Sequence, residues 1–158
     1  MACRPVAEPH ADGVVGITLR RVFDAPRERV WLEWTEPERF ADWFGGPDFE
    51  VPLSSVSMDV RQGGAWRLTM RVADARGEVL WHGEYRDVVA PERLVFTISD
   101  LPPGEPYELV TVELVDLGDG RTEMLFEQRG HHPPEVYERA GQGWSGFFDR
   151  IAERLAAA

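Results

Sequence analysis

Two adjacent histidines, His131 and His132, are the first residues in this sequence that could do chemistry. Glu127 and Glu135 lie close to them, and imidazole nitrogens with carboxylate oxygens are typical zinc ligands. Adjacent side chains rarely converge on one ion unless a loop turns them. We therefore interpret the pair as part of a polar loop before a helix, and we predict no metal site.

Two further patterns invite comparison with known motifs and fail it. Gly141, Gly143 and Gly146 have the G-x-G-x-x-G spacing of dinucleotide-binding folds. No βαβ unit precedes them, and the acidic residue expected about 20 positions later would fall beyond the last residue. We interpret these glycines as letting a helix pass close to a sheet. Ser145 belongs to a helical pattern rather than to the G-x-S-x-G turn of serine hydrolases. We predict neither an organic cofactor nor a serine nucleophile.

His82 is the remaining candidate for acid–base chemistry. Trp81 and Tyr85 occupy the other face of its strand pattern, so alternation places the imidazole on the outer face. Carboxylates of later strands also alternate with apolar neighbours: Glu113, Glu123 and Glu127. The sequence predicts no catalytic residue. An enzyme would need polar groups facing inward, and the residues to inspect are Arg21, Arg61, Glu84 and Gln128.

Aromatic residues form the strongest pattern, with six tryptophans in 158 residues. An apolar pocket lined by such rings suits a small hydrophobic molecule, and an indole N–H can orient a ligand. The alternative is that the same rings form a close-packed core, in which case the interior would be free of voids. The predicted ligand-binding residues are Trp34, Trp43, Phe44, Trp66, Met70, Trp81, Tyr85, Phe96, Phe126, Trp144 and Phe148.

Composition excludes several other classes of protein. The net charge of −11 disfavours nucleic acid and anionic membrane surfaces as partners. All 17 basic residues are arginine, so no lysine can form a Schiff base or a P-loop. Cys3 is the only cysteine, and no apolar stretch reaches the roughly 18 residues of a membrane span. We expect a cytoplasmic protein with a small-molecule partner.

The elements that must position these residues follow a change in periodicity. Residues 14–23 read as a strand, and two short helices follow, with Asp24 and Thr35 as expected capping residues. Between residues 56 and 129, apolar and polar residues alternate in about six strands separated by turn signals, which indicates an antiparallel sheet. Apolar residues over 134–155 recur at helical spacing and predict a long final helix.

Six local motifs occur in this order: Phe23-Asp-Ala-Pro26, Asp42-Trp43-Phe44-Gly45, Gly63-Gly64-Ala-Trp66, His82-Gly83-Glu-Tyr85, Pro91-Glu-Arg-Leu94-Val-Phe96 and Gly143-Trp144. Their order resembles that of START-like, birch-pollen-allergen-like (SRPBCC) domains. Within this superfamily, the chain is most similar to the family named after the activator of the heat-shock-protein-90 ATPase. The resemblance implies an α+β helix-grip fold. In it, a strongly curved antiparallel sheet of about six to seven strands wraps around a long C-terminal helix, with two short helices after the first strand.

The resemblance also implies where function would lie. We expect one START-like domain over residues 14–158, preceded by a disordered tail over residues 1–13. A small hydrophobic ligand would be held in a cavity between the C-terminal helix and the sheet. A chaperone-linked role and a cyclase- or hydrolase-type enzyme using the same cavity stay open as alternatives, as does a homodimer.

Overall fold

The computed structural model describes residues 6–9, 15–46, 49–72 and 77–157. This part of the chain contains three α-helices and nine strands in an α+β arrangement. In chain order they are β1 (Val6–Pro9), β2 (Val15–Phe23), α1 (Arg27–Thr35), α2 (Pro37–Trp43), β3 (Phe49–Glu50), β4 (Ser57–Met58), β5 (Ala65–Val72), β6 (Glu78–Val89), β7 (Arg93–Ile98), β8 (Glu108–Asp116), β9 (Thr122–Gly130) and α3 (Pro134–Ala157).

The strands form one antiparallel sheet in the order β1-β2-β9-β8-β7-β6-β5-β3, and β4 pairs with β5. Along β5, Trp66, Leu68 and Met70 are buried whereas Arg67 is exposed, so the sheet has one apolar face. That face curves around α3, which confirms the predicted helix-grip fold. The two short helices follow β2 rather than the first strand, because β1 precedes it.

Residues 6–9 form the strand β1, whereas the sequence predicted a disordered tail over residues 1–13. Val6 pairs with Thr18 and Pro9 pairs with Val15 at the edge of the sheet. A proline is compatible with an edge strand because its missing N–H can face away from the ladder. The rest of residues 1–13 lies outside the described residues, and the single domain over 14–158 stays a prediction.

The helix starts correct the predicted caps. Neither α1 nor α2 has a side-chain capping hydrogen bond among the described residues, so the prediction for Asp24 and Thr35 is wrong. Thr35 is the last residue of α1, and its hydroxyl donates to the carbonyl oxygen of Trp31 at 2.9 Å. Since α2 begins at Pro37, its proline supplies the preset φ of a first helical turn instead.

The apolar face of α3 packs into the curve of the sheet. Trp144, Phe148, Ile151 and Leu155 are buried, as their helical spacing predicts. The glycines do not act as predicted, because a Cβ added at Gly143 or Gly146 would meet nothing within 4 Å. Close approach to the sheet is therefore not the reason for these two residues.

Gly83 is required where β6 passes from β5 to β7. A Cβ at this position would overlap the carbonyl oxygen of Thr97. That oxygen also accepts a hydrogen bond from Nε1 of Trp66 at 3.0 Å. Gly83 is therefore required because a neighbouring strand and an indole ring come close to its backbone.

A buried carboxylate joins the three helices. Glu33 is 1% exposed, and its side chain accepts from Nε of Arg154 at 2.6 Å and from Nη1 of Arg39 at 3.4 Å. The hydrogen bond that Arg154 donates to Glu33 raises the pKa of the Arg154 guanidinium above its usual value, so the cation persists at any ordinary pH. Asp42 also contacts Arg154. This network fixes α1 and α2 against α3.

Candidate functional site

The eleven residues predicted to bind a ligand lie together between α3 and the sheet, and we call them the aromatic cluster. Ten of them belong to the buried core, and Trp81 packs against its edge. Trp34 lies near the centre, with its ring centroid 4.8 Å from that of Trp43 and 6.2 Å from that of Trp144. The sequence therefore located a real cluster, because inward-facing strand and helix positions converge on one interior.

The rings around Trp34 pack closely. A void of about 10 Å³ lies among seven side chains of the interior: Trp34, Phe40, Met58, Trp66, Tyr85, Leu94 and Phe96. A water molecule needs roughly 10–15 Å³, so this void is far smaller than an organic ligand. The predicted ligand cavity stays a prediction, and at this place a ligand could enter the cluster only by displacing rings.

Three indole groups of the cluster are satisfied by the surrounding protein. A buried indole N–H normally finds an acceptor, because leaving it unpaired is costly. The three acceptors are the carbonyl oxygen of Glu33 for Trp43 at 2.7 Å, the carbonyl oxygen of Thr97 for Trp66 at 3.0 Å, and Oε1 of Gln128 for Trp144 at 2.8 Å.

Trp34 and Trp81 differ from these three. Within the described ranges, the buried Nε1–H of each donates to no acceptor. Trp34 is only 1% exposed, so its N–H is removed from solvent in the middle of an apolar cluster. An unpaired buried donor costs about 1–3 kcal/mol. The cluster therefore contains unused hydrogen-bonding capacity facing inward.

A polar network borders the cluster near the start of α3. The hydroxyl of Tyr137 donates to Oε1 of Glu108 at 2.6 Å, and Nε2 of Gln128 donates to the same oxygen at 3.3 Å. Burial and the bond to Glu108 raise the pKa of the Tyr137 phenol, so it stays protonated and acts as a donor. Neither Tyr137 nor Glu108 was predicted from the sequence, although Glu108 alternates in step with the inward-facing Val110.

The four polar residues selected for an enzyme are divided between the two faces. Gln128 faces inward, where Trp144 and Glu108 occupy its amide. Arg21 is mostly buried and pairs with Asp149 at 2.6 Å. Arg61 and Glu84 are exposed and form surface ion pairs. The inward-facing groups are thus held in hydrogen bonds or ion pairs, which suits positioning better than acid–base chemistry.

A larger depression lies on the opposite, outer face of the sheet. It has a volume of about 640 Å³ between strands β5 and β6 and the loop over residues 100–103. Arg67, Leu80 and His82 point into it from the strands, and Leu101 closes it from the loop. His82 thus lies on the outer face, where alternation places it. We call this depression the outer groove.

Comparison with known proteins identifies the family. The model of the family described as "Activator of Hsp90 ATPase homolog 1-like protein" matches residues 24–156. The chain belongs to this family. It is a family of the START-like superfamily, so the resemblance seen in the sequence is confirmed. No curated protein matches the sequence. In the described ranges, no helix combines the length and apolarity needed to span a bilayer.

Solved structures agree with the family's fold. A protein of Chromobacterium violaceum is 26% identical with a TM-score of 0.78, and the match covers 89% of this chain and 96% of that one. An AHSA1-like protein of Aeromonas hydrophila is 23% identical with a TM-score of 0.75, covering 90% and 95%. The AHSA1 protein of Silicibacter pomeroyi is 20% identical with a TM-score of 0.77, covering 90% and 98%. The last two likenesses show the fold alone.

Proposed function

We propose that this family member binds a small hydrophobic molecule carrying a hydrogen-bond acceptor within the aromatic cluster. The Nε1–H of Trp34 carries this proposal, because it is a buried donor surrounded by rings and has no acceptor among the described residues. A carbonyl or ether oxygen would accept from it while the apolar body of the ligand contacts Phe96, Phe126 and Phe148, whose centroids lie 6.1–6.3 Å from that of Trp34.

The partly buried edge of the cluster supports a route for entry. Trp81 and Phe147 are partly buried, and Phe44 lies between them at centroid distances of 6.3 and 5.5 Å. Ring displacement at this edge would expose the interior, and the unpaired Nε1–H of Trp81 lies on the same side. Because the rings already fill the cluster, the ligand must replace ring contacts with contacts of its own.

A matched pair of probes tests the proposal by thermal shift. 2-Acetonaphthone carries a ketone oxygen, and 2-ethylnaphthalene has nearly the same shape without an acceptor. We expect the ketone to raise the Tm of the wild-type protein in a concentration-dependent way through binding linkage, and the hydrocarbon to raise it less. The variant W34F should lose the difference between the probes.

The control variant is W43F, since the indole of Trp43 is already paired with the carbonyl oxygen of Glu33. We expect it to keep the preference for the ketone. Equal shifts by the two probes in the wild-type protein, or no shift by either, would contradict the proposal. Native mass spectrometry of the purified protein adds a second measurement, since a co-purifying small molecule would be released on denaturation.

A chaperone-linked role is the second candidate, favoured by the description of the matching family. An ATPase assay with heat-shock protein 90 separates it from ligand binding. Stimulation of the ATPase without any response to the probes would support this second candidate and contradict the first.

A further inference from the structure

A row of polar side chains crosses the outer face of the sheet, on the side away from the aromatic cluster. Ser57 is paired with Arg67, and Arg67 is paired with His82, on three successive antiparallel strands. An isolated bridge continues the row from His82 to Ser99. Directly opposed residues of antiparallel strands have Cβ atoms about 4.5–5.5 Å apart, so the Ser57, Arg67 and His82 side chains are neighbours.

Arg67 stands out among the arginines of this face. Its guanidinium forms no ion pair or hydrogen bond with any residue that the structure describes. Nearby, Arg71 pairs with Glu78 at 2.9 Å and Arg86 pairs with Glu84 at 3.4 Å. Acidic residues outnumber basic ones by 28 to 17 in this chain, yet the guanidinium of Arg67 has no carboxylate partner among the described residues. Its planar donors suit a carboxylate.

Apolar walls flank this row. Leu80 is 51% exposed on the strand side, and Leu101 is 44% exposed on the loop side. The loop is held in place, since Nε2 of His82 donates to the carbonyl oxygen of Leu101 at 2.5 Å and Oγ of Ser99 accepts from its N–H at 3.0 Å. The groove of about 640 Å³ lies within the size range of ligand sites, roughly 300–1,000 Å³.

We propose that the outer groove is a second binding site, for a small organic monoanion with an apolar body. The carboxylate would bind Arg67, and the aliphatic or aromatic body would lie between Leu80 and Leu101. Asp100 also lines the groove from the loop. A ligand with a second carboxylate at that end would meet a like charge, so the site favours a single negative charge.

Isothermal titration calorimetry with 2-naphthoate and its neutral analogue 2-naphthalenemethanol tests this site. We expect the wild-type protein to bind the anion roughly tenfold more tightly, the lower range for a hydrogen bond to a charged group. The variant R67Q should bind both probes equally. The control R139Q should keep the tenfold preference, because Arg139 is also exposed and unpaired among the described residues but lies on α3.

Two further variants separate this site from the aromatic cluster. L101S should weaken both probes, because it removes one apolar wall, whereas W34F should leave the preference for the anion unchanged. The proposal is overturned if the wild-type protein shows no preference for the anion, or if R67Q keeps it. A loss of preference in R139Q equal to that in R67Q overturns it as well, since binding would then follow overall charge. The melting temperature of each variant confirms folding.

Discussion

Replacing Trp34 or Trp43 by phenylalanine should affect stability very differently, although both tryptophans are buried in the same cluster. The two substitutions remove the same ring atoms from neighbouring positions, so the losses of packing are similar. They differ in the N–H that is removed. W34F deletes a donor that has no acceptor among the described residues, and W43F deletes a donor paired at 2.7 Å.

The chain itself gives the reason that Trp43 matters. The carbonyl oxygen of Glu33 would accept from the residue four positions later in a continuing helix, but that residue is Pro37, which has no N–H. The indole of Trp43 takes this place. W43F therefore leaves a buried carbonyl unpaired, at a cost of about 1–3 kcal/mol, whereas W34F relieves a cost of that kind.

Urea unfolding of the two variants measures this difference. We expect the free energy of unfolding of W43F to be lower than that of W34F by about 1–3 kcal/mol or more. For a protein of this size, that corresponds to about 2–4 °C in Tm for each kcal/mol. If W34F were as destabilised as W43F, the Trp34 N–H would have a partner in the unliganded protein. The reasoning behind the proposed ligand site would then fail.

Three other predictions concern the fold around the site. In urea unfolding, Gly83→Ala should destabilise the protein by about 3 kcal/mol because the new methyl group overlaps the Thr97 carbonyl. Gly143→Ala should stabilise it by roughly 0.5–1 kcal/mol, because the methyl group meets nothing and alanine favours a helix. Glu33→Gln should cost about 1–3 kcal/mol, since it removes the buried carboxylate that Arg39 and Arg154 share while they keep their pairs with Glu36 and Asp42, and the same assay measures the loss. The pKa of the Tyr137 phenol is higher in the folded protein than its unfolded value near 10. Its contribution to folding stability is therefore complete below about pH 10 and is lost at higher pH. Tyr137→Phe should flatten the alkaline fall in Tm.

Each of these predictions has a contrary result. A tolerated alanine at residue 83 would mean that β6 and β7 are further apart than described. An unchanged stability for Glu33→Gln would show that the network between the helices contributes nothing in water. For Tyr137→Phe, an alkaline fall as steep as that of the wild-type protein would assign the pH dependence to other groups, among them Tyr85, whose phenol pKa burial also raises.

The sequence was sufficient for the elements with strong periodicity. The apolar stripe of α3 and the alternation along β5 predicted which residues face inward, and both predictions are confirmed. The caps at Asp24 and Thr35 failed because a capping motif competes with other hydrogen bonds, and Thr35 uses its hydroxyl within α1. The strand β1 was missed because four residues that include a proline carry too short a pattern.

The candidate site could be predicted only as a set of inward-facing rings. Core and cavity residues share the same pattern, so whether rings fill the space depends on their three-dimensional packing. The sequence also could not predict which indole lacks a partner. Trp43 has one because Pro37 has no N–H to donate to the carbonyl oxygen of Glu33. The unpaired Arg67 required the strand register, which sets it beside Ser57 and His82 instead of an acidic residue.

The most direct test of the proposed function is a ¹⁵N–¹H spectrum of the six indole N–H groups during titration with 2-acetonaphthone. The Trp34 signal is identified as the one that is missing from the spectrum of W34F. A new hydrogen bond from Trp34 predicts a downfield shift of that signal on binding, with the Trp43 signal moving much less and 2-ethylnaphthalene producing no such shift. A Trp34 signal that stays in place while the ketone binds, or a spectrum unchanged at saturating ketone, would contradict the proposed function.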